Sequence, residues 1–388
     1  MTGQQPIHDN VMMIDHAILR CAAVLWLLAS LGCGDGDFRQ EAQGLEGHVT
    51  VVMDSALWSG SVGHAVREQV GGLIVTLPSR EPAFEIDPIS LANRLALEYA
   101  QRRKNVLFVA SLDDTSSTVT RTIRSFLTEE VLIGATGGGS VLVSGNDVWR
   151  KRQRVFYLVA ATPESLAVGI EESGPYIIDQ FNDIARLRLH REMFDIGRQP
   201  DLEHELMETH DFAVHMQHDY VIAADTSNFI WLRRVVNIDS WRSLFVYYEE
   251  NIVDPNILSP EWVIRARDHL ARRFMQGSEG GWVEVDRRRP VVVDSIDFKG
   301  RFAFEIRGLW HMVGEENGRK FPFGMGGPFL TYAFYDEATG RLFMVDGMVF
   351  APNYPKREFL RQMEVIAYTF RTNADVSRSD DTKQAVDR

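Results

Sequence analysis

The chain has 388 residues, 45% of them hydrophobic and 24% charged, a globular composition with room for one large or two ordinary domains. Its 41 basic and 54 acidic residues give a formal net charge of −13, which opposes contact with a phosphate backbone and excludes nucleic acid as a partner class. The two cysteines, Cys21 and Cys33, lie in one N-terminal apolar run, so the remainder of the chain offers no disulfide, thiol nucleophile or Cys-ligated zinc.

Residues 21 to 31, CAAVLWLLASL, carry no charge and follow Arg20. The run is too short for a bilayer, which needs about 20 apolar residues, but suits the core of an export signal. Gly32-Cys33 at its end resembles a bacterial lipobox, whose cysteine thiol is acylated and becomes the mature N-terminus. Cleavage after Gly32 by an ordinary signal peptidase and a buried helix of a cytosolic domain are the alternatives. The expectation is a lipoprotein signal peptide over 1–33, lipid on Cys33 and a Gly/Asp/Gln-rich tether over 34–46. The lipid would anchor the protein in the cell envelope. Gly34, rather than Asp, after Cys33 favours the outer membrane.

From residue 47 the pattern alternates strands and helices. GHVTVVMD (47 to 54) reads as a strand, GSVGHAVREQV as a helix and GLIVTLP (72 to 78) as a strand. Pro78, Pro82 and Pro88 keep the next stretch extended. A helix over 90 to 103 with Ser90 as cap, a buried strand over 105 to 111, a helix over 117 to 129 and a strand over 154 to 161 follow. Thr162-Pro163-Glu164 opens a helix, with Thr as cap, Pro in the first turn and Glu favourable to the dipole. Gly174-Pro175 is expected to break it before YIIDQFNDIARLRLHREMF resumes.

The second half reads as strands YVIAAD, FIWLRRVV and SLFVYYEE, then a helix opening at Ser259-Pro260-Glu261. That repeated cap device hints at two related halves. Strands near 281 to 285, 291 to 298, 301 to 307, 328 to 336 and 341 to 350 come next, then a helix over 356 to 370. Phe359, Leu360, Met363, Ile366, Ala367 and Phe370 make one apolar stripe on that helix. The polar tail 371–388 reads as disordered. The expected fold is α+β in two α/β subdomains, 47–200 with a mixed sheet and 201–370 with a mainly antiparallel sheet and a packed C-terminal helix.

Motifs for known chemistry fail one by one. GATGGGS (134 to 140) lacks the lysine of a phosphate loop, since Ser140 and Val141 follow the last glycine, and it reads as a flexible loop. No G-x-S-x-G elbow occurs. His204, His210, His215 and His218 lie close in sequence, but Glu208 stands where a zincin's second histidine belongs, so no metal site and no cofactor are expected. In GMGGPFLTYAFYD (324 to 336), Gly326 and Gly327 read as the tight entry to a strand beginning at Pro328. Glu305, Arg307 and Trp310 precede it and Asp346 follows it. Arginine beside carboxylates in an aromatic region could bind an anionic or sugar-like ligand, or Glu305 and Arg307 could simply pair across one strand face.

Eight ordered segments, among them LPSREPAFEID, NFIWLRR, RGLW, MGGPFLTYAFYD and VDGMVFAP, resemble the domain-of-unknown-function family DUF4837 over about residues 47 to 370. The resemblance implies an exported lipoprotein of Bacteroidota-type bacteria and brings no activity or catalytic residues. The expected role is a non-enzymatic binding or structural protein of the envelope, its partner another envelope protein or a small ligand. Candidate binding residues are Glu81, Glu305, Arg307, Trp310, Gly326, Gly327 and Asp346. The alternative is a hydrolase pairing Glu81 with Glu305 or Asp346, provided both carboxyls reach one substrate bond.

Overall fold

The apolar runs 106–110 and 155–160 set the centre of the first sheet. The computed structural model describes residues 37–237, 239–277 and 280–378, and from Glu41 onward they form one unit. Its first elements are β1 (His48–Val52), α1 (Ser55–Ser59), α2 (Ser61–Gln69), β2 (Glu85–Ile89), α3 (Arg94–Arg102), β3 (Asn105–Ser111), α4 (Thr118–Phe126), α5 (Glu129–Thr136), β4 (Ser140–Asn146) and β5 (Arg154–Ala160). The sheet order is β2-β1-β3-β5-β4, parallel except for the antiparallel edge strand β4. β3 and β5 are buried along their whole length, as strands covered on both faces must be. β2 carries Pro88 and lies on the other edge, where a missing N–H breaks no ladder.

Three local expectations change here. Residues 72 to 78 form no strand and make only an isolated bridge, Leu73 to Pro82. The next helix starts at Arg94 rather than near Ser90, because Asn93 Oδ1 accepts from the Ala96 N–H at 3.1 Å and supplies the better cap. The glycine loop shrinks to 137–139, since Gly134 to Thr136 close α5 and Ser140 opens β4.

The Gly174-Pro175 break does not occur. α6 (Pro163–Phe194) is one helix of 32 residues with Pro175 inside it, capped by Thr162, whose Oγ1 accepts from the Ser165 N–H at 3.3 Å. Its two ends are anchored in different cores, Leu166, Ile170, Ile177 and Phe181 in the first and Leu189, Met193 and Phe194 in the second. Burial at both ends outweighs the proline. Gly174 has a packing reason, for a Cβ there would stand 2.6 Å from the Gln69 Cβ of α2.

After α7 (Pro200–His210) and β6 (Phe212–Ala213), the second sheet assembles from β7 (Val221–Asp225), β8 (Phe229–Asn237), β9 (Ser240–Glu249), β10 (Trp282–Val285), β11 (Val292–Asp297), β12 (Phe302–Glu316), β13 (Arg319–Asp336) and β14 (Arg341–Phe350). It is antiparallel, in order β10-β12-β13-β14-β9-β8-β7, with β11 also on β12. α8 (Pro260–Phe274) packs Val263, Leu270 and Ala271 on one face. α9 (Arg357–Ala367) packs Leu360, Met363 and Ile366 on the other. The fold is therefore α+β, with the mixed N-terminal and antiparallel C-terminal sheets read from the sequence. The two proline-glutamate helix starts are both real caps, Ser259 Oγ accepting from the Trp262 N–H at 3.3 Å. They serve sheets of different topology, however, and do not mark a repeat.

β12 and β13 are far longer than expected and form one ribbon turned at Asn317-Gly318, with φ of 52° and 74°. Asn-Gly is the strongest short hairpin signal, because both residues tolerate positive φ. Gly326, Gly327 and Pro328 consequently lie within β13, opposite His311, Trp310 and Leu309, and are not its entry. Pro328 is tolerated because β14 pairs with β13 only from Phe329 onward.

Both supposed flexible flanks contain fixed structure. Glu46, placed in the tether, is 6% exposed and holds Lys104 Nζ at 2.5 Å and Arg188 Nη1 at 2.9 Å. The tail begins with β15 (Arg371–Thr372), paired to β6, and Thr372 is buried. Cys33 and residues 379–388 lie outside the described residues.

Candidate functional site

α6, α9 and the β11–β12 pair surround a cleft of about 780 Å³ with an apolar floor that includes Ile74, Leu77 and Leu360. α6 contributes Tyr176, Asp179, Asp183 and Arg186, spaced three, four and three apart and so on one helical face. β12 contributes Glu305 and Arg307, two apart on one strand face, and Asp294 of β11 stands directly opposite Glu305. α9 contributes Arg357, Arg361 and Glu364.

The deep wall is a closed ion network. Glu364 accepts from Arg186 Nη1 at 2.9 Å and from Arg307 Nη2 at 3.0 Å, while Arg307 also binds Glu305 and Arg186 also binds Asp183. Burial would raise the Glu364 carboxyl, but Arg307 and Arg186 together hold it below the usual value. The Arg186 guanidinium lies 3.7 Å from the centre of the Tyr368 ring, which fixes it further. Arg361 is spent on Glu358, Asn182 and the Ala83 carbonyl, and Arg357 on Glu358 and the Pro82 carbonyl.

The mouth is different. Asp179 and Asp294 accept no hydrogen bond among the described residues, and both stand open to solvent. Partial burial and the charges of Asp183, Glu305 and Asp294 push the Asp179 carboxyl upward, against the pull of Arg186. The cleft thus pairs its cations internally and leaves carboxylate oxygens facing outward.

Of the candidates read from the sequence, Glu305 and Arg307 line this cleft. Glu81 does not line the cleft. It is 8% exposed and caps α9, accepting the Lys356 N–H at 2.9 Å, the Arg357 N–H at 2.8 Å and the Ser79 hydroxyl at 2.6 Å. Burial would raise its carboxyl, but these donors lower it. Asp346 is fully enclosed, with Arg267 Nε at 2.7 Å and Thr331 Oγ1 at 2.5 Å. Trp310 is a core residue, stacked on Trp241 with ring centres 5.3 Å apart. Gly327 faces it because a Cβ there would come 1.9 Å from the Val349 carbonyl oxygen, and one at Gly326 would crowd the Trp310 carbonyl at 2.9 Å. The two glycines therefore serve strand packing and cradle no ligand.

Asp179, Asp183, Arg186, Asp294 and Glu364 are the cleft residues that sequence reasoning did not single out. The helical spacing of Asp179, Asp183 and Arg186 was available as a signal, but a charged stripe on a helix ordinarily means a solvated face. The histidines do not converge into a metal set: among the described residues no group of three or more His, Cys, Asp or Glu side chains is placed to hold a metal ion. His210 is instead buried between the Tyr248 hydroxyl at 3.1 Å and Asp225 at 3.0 Å.

Comparison with known proteins divides the chain at the turn between α6 and α7. Residues 199–369 match the model of the family described as domain of unknown function DUF4837. The C-terminal half is a DUF4837 domain. Residues 42–194 match a second domain of unknown function, DUF8532, so the resemblance read over 47 to 370 is shown for DUF4837 only in its second part. No curated protein matches the chain. Among solved structures, the Saccharomyces cerevisiae Ran-binding protein Mog1p aligns at 9% identity over 43% of this chain and 92% of its own, with a TM-score of 0.29. A point mutant of Mog1 aligns at 10% identity over 42% and 90%, also at 0.29. A Bacteroides thetaiotaomicron protein aligns at 8% over 42% and 45%, at 0.21. Likenesses this slight carry no argument about function.

Proposed function

We propose that this chain is a non-enzymatic ligand-binding protein of the cell envelope, tethered through a lipid on Cys33, and that its ligand occupies the cleft between α6, α9 and β11–β12. The observation that carries the reading is the mouth of the cleft, where Asp179 and Asp294 keep unpartnered carboxylates beside an internally neutralised arginine network. Such a mouth repels anions. Of the two ligand types expected from the sequence, a sugar-like one fits, and the charge favours one that carries an amino group. Tyr176 and Tyr368 add aromatic surface at the same opening.

The carboxylate-pair hydrolase finds no support in the placement of its members. Glu81 is consumed as a helix cap and Asp346 as the partner of a buried arginine, and both are buried outside the lining of the cleft that holds Glu305.

Calorimetric titration of the full chain with a glucosamine oligomer, a neutral glucose oligomer and sulfate tests the reading. The glucosamine oligomer should bind, sulfate should not, and Asp179→Asn with Asp294→Asn should weaken the amino sugar at least tenfold. Equal binding of the neutral oligomer, or an unchanged affinity in the double variant, would remove the cleft from consideration. Palmitate labelling of wild type against Cys33→Ala tests the anchor separately.

A further inference from the structure

Most buried or half-buried arginines of this protein meet a carboxylate: Arg188 meets Glu46, Arg267 meets Asp346, Arg301 meets Asp336 and Arg234 meets Asp219. Arg233 of β8 does not. Among the described residues it has no ion pair and no hydrogen bond, and its Nε is buried without a partner. Its guanidinium lies between two indoles, 4.9 Å from the centre of Trp231 and 5.7 Å from that of Trp241. Burial alone pushes its pKa down, with no neighbouring anion to restore it.

Two neighbours of Arg233 on its face of the sheet also bury polar atoms without a partner. Ser243 stands directly across from it on β9, is 1% exposed, and its Oγ has no partner. Trp231, two residues away on the same strand face, buries an unpartnered Nε1–H. Three buried polar groups without a partner on one face of two paired strands are unusual in a folded protein, because each forfeits about 1 to 3 kcal/mol when left unsatisfied. The rim beside them is apolar. Val221 lies across from Arg233 on β7 at 62% exposure, and Val235, the next residue on that face, is 57% exposed. This face is the α8 side of the sheet and takes no part in the cleft, which lies on the α9 side.

We propose that Arg233, Ser243 and Trp231 form a second binding site, for an oxyanion carried on an apolar chain. A carboxylate or a phosphate monoester would accept from the guanidinium and the Ser243 hydroxyl, with the Trp231 N–H as a further donor. Its hydrocarbon tail would lie on Val221, Val235 and the exposed edge of Trp241. The planar guanidinium is held in place by the two tryptophans, so little side-chain entropy is lost on binding. The site is cationic within a chain of net charge −13, which makes a local anion preference selective.

The test is titration of the full chain with decanoate, decyl phosphate and decanol, followed by calorimetry and tryptophan fluorescence. Decanoate, decyl phosphate or both should bind and change the indole emission, and preference between the two identifies which headgroup the site takes. Decanol should bind at least tenfold more weakly. Arg233→Gln should weaken the anionic ligands at least tenfold and leave decanol unchanged. Should that variant fail to fold by circular dichroism, Ser243→Ala removes only a hydroxyl and should still weaken them at least threefold. Equal affinity for decanol and decanoate, absence of binding by both anions, or indifference to the folded variants would overturn the proposal. Because the site shares no residue with the cleft, loss of amino-sugar binding leaves this result untouched and the reverse also holds.

Discussion

Asp346 and Arg267 are 0% and 1% exposed on their side chains, and each is the ionic partner of the other. The guanidinium also lies 3.8 Å from the centre of the Phe329 ring, so its lost hydration is replaced by one carboxylate and one aromatic face. Burial raises the Asp346 carboxyl despite Arg267 and Thr331, which marks the pair as electrostatically expensive rather than a source of stability. Asp346→Leu alone should therefore cost roughly 3 to 5 kcal/mol by urea unfolding, because it strands a buried cation. Adding Arg267→Met should recover most of that loss; a double variant as unstable as the single one would contradict the account. Glu81 illustrates the opposite case, a buried carboxylate whose hydrogen bonds come from two backbone N–H groups and a hydroxyl rather than from a side-chain cation.

At the scale of elements, α6 is the piece on which both sheets depend. Its N-terminal half packs in the first core and its C-terminal end in the second, and the same helix supplies one wall of the cleft. Pro175 sits inside it on an exposed position and removes an N–H from the helical ladder. Pro175→Ala should keep the fold and raise stability by about 1 to 3 kcal/mol, read as a higher urea midpoint at unchanged slope. A lower midpoint would show that the core contacts at the two ends require the proline. Gly174 beside it should tolerate no such change, since a Cβ would meet Gln69.

For the molecule as a whole, acidification acts on the junction where α6, α7 and β15 meet. His190 Nε2 and His215 Nδ1 are 3.3 Å apart, and Glu203 is held by Arg198 at 2.5 Å and Arg371 at 3.0 Å. Burial, with Arg198 and Arg371, outweighs Glu203 and lowers His215 from 6.5 to about 4; burial also lowers His190. A base with a depressed folded value binds its proton better in the unfolded chain. Stability from this group is therefore complete above pH 6.5 and falls as pH drops toward 4, by up to about 3 kcal/mol. Glu203 beside the histidines is held below the usual carboxylate range, so within this junction the histidines set the slope over most of the window from pH 6.5 to 4.5. His215→Gln should flatten the unfolding free energy over that window, and an unchanged slope would refute the assignment.

Local chemistry was readable without coordinates. The Thr162 and Ser259 caps, the buried strands β3 and β5, the stripe on α9 and the α+β class all follow from short-range patterns that a single element must satisfy by itself. Asn317-Gly318 carried equally local information about the long ribbon. The errors arose where distant chain segments compete with a local rule. Proline at 175 should end a helix, yet two cores separated along α6 hold it together. Gly326-Gly327 should make a turn, yet the approach of Val349 and Trp310 uses their missing side chains inside a strand.

The sites depended on the same long-range information. Glu305 and Arg307 could be placed on one face from their spacing, but only folding sets Asp294, Asp179 and Glu364 beside them. Only folding, too, exhausts Glu81 and Asp346 on partners far away in the chain. By itself the sequence determined the fold class, the helix caps at Thr162 and Ser259, the central strands and a charge unsuited to nucleic acid, because each rests on composition or on neighbours a few residues apart. The tertiary structure alone decided which charges are neutralised and which stay open, because that balance depends on groups brought together across tens to hundreds of residues.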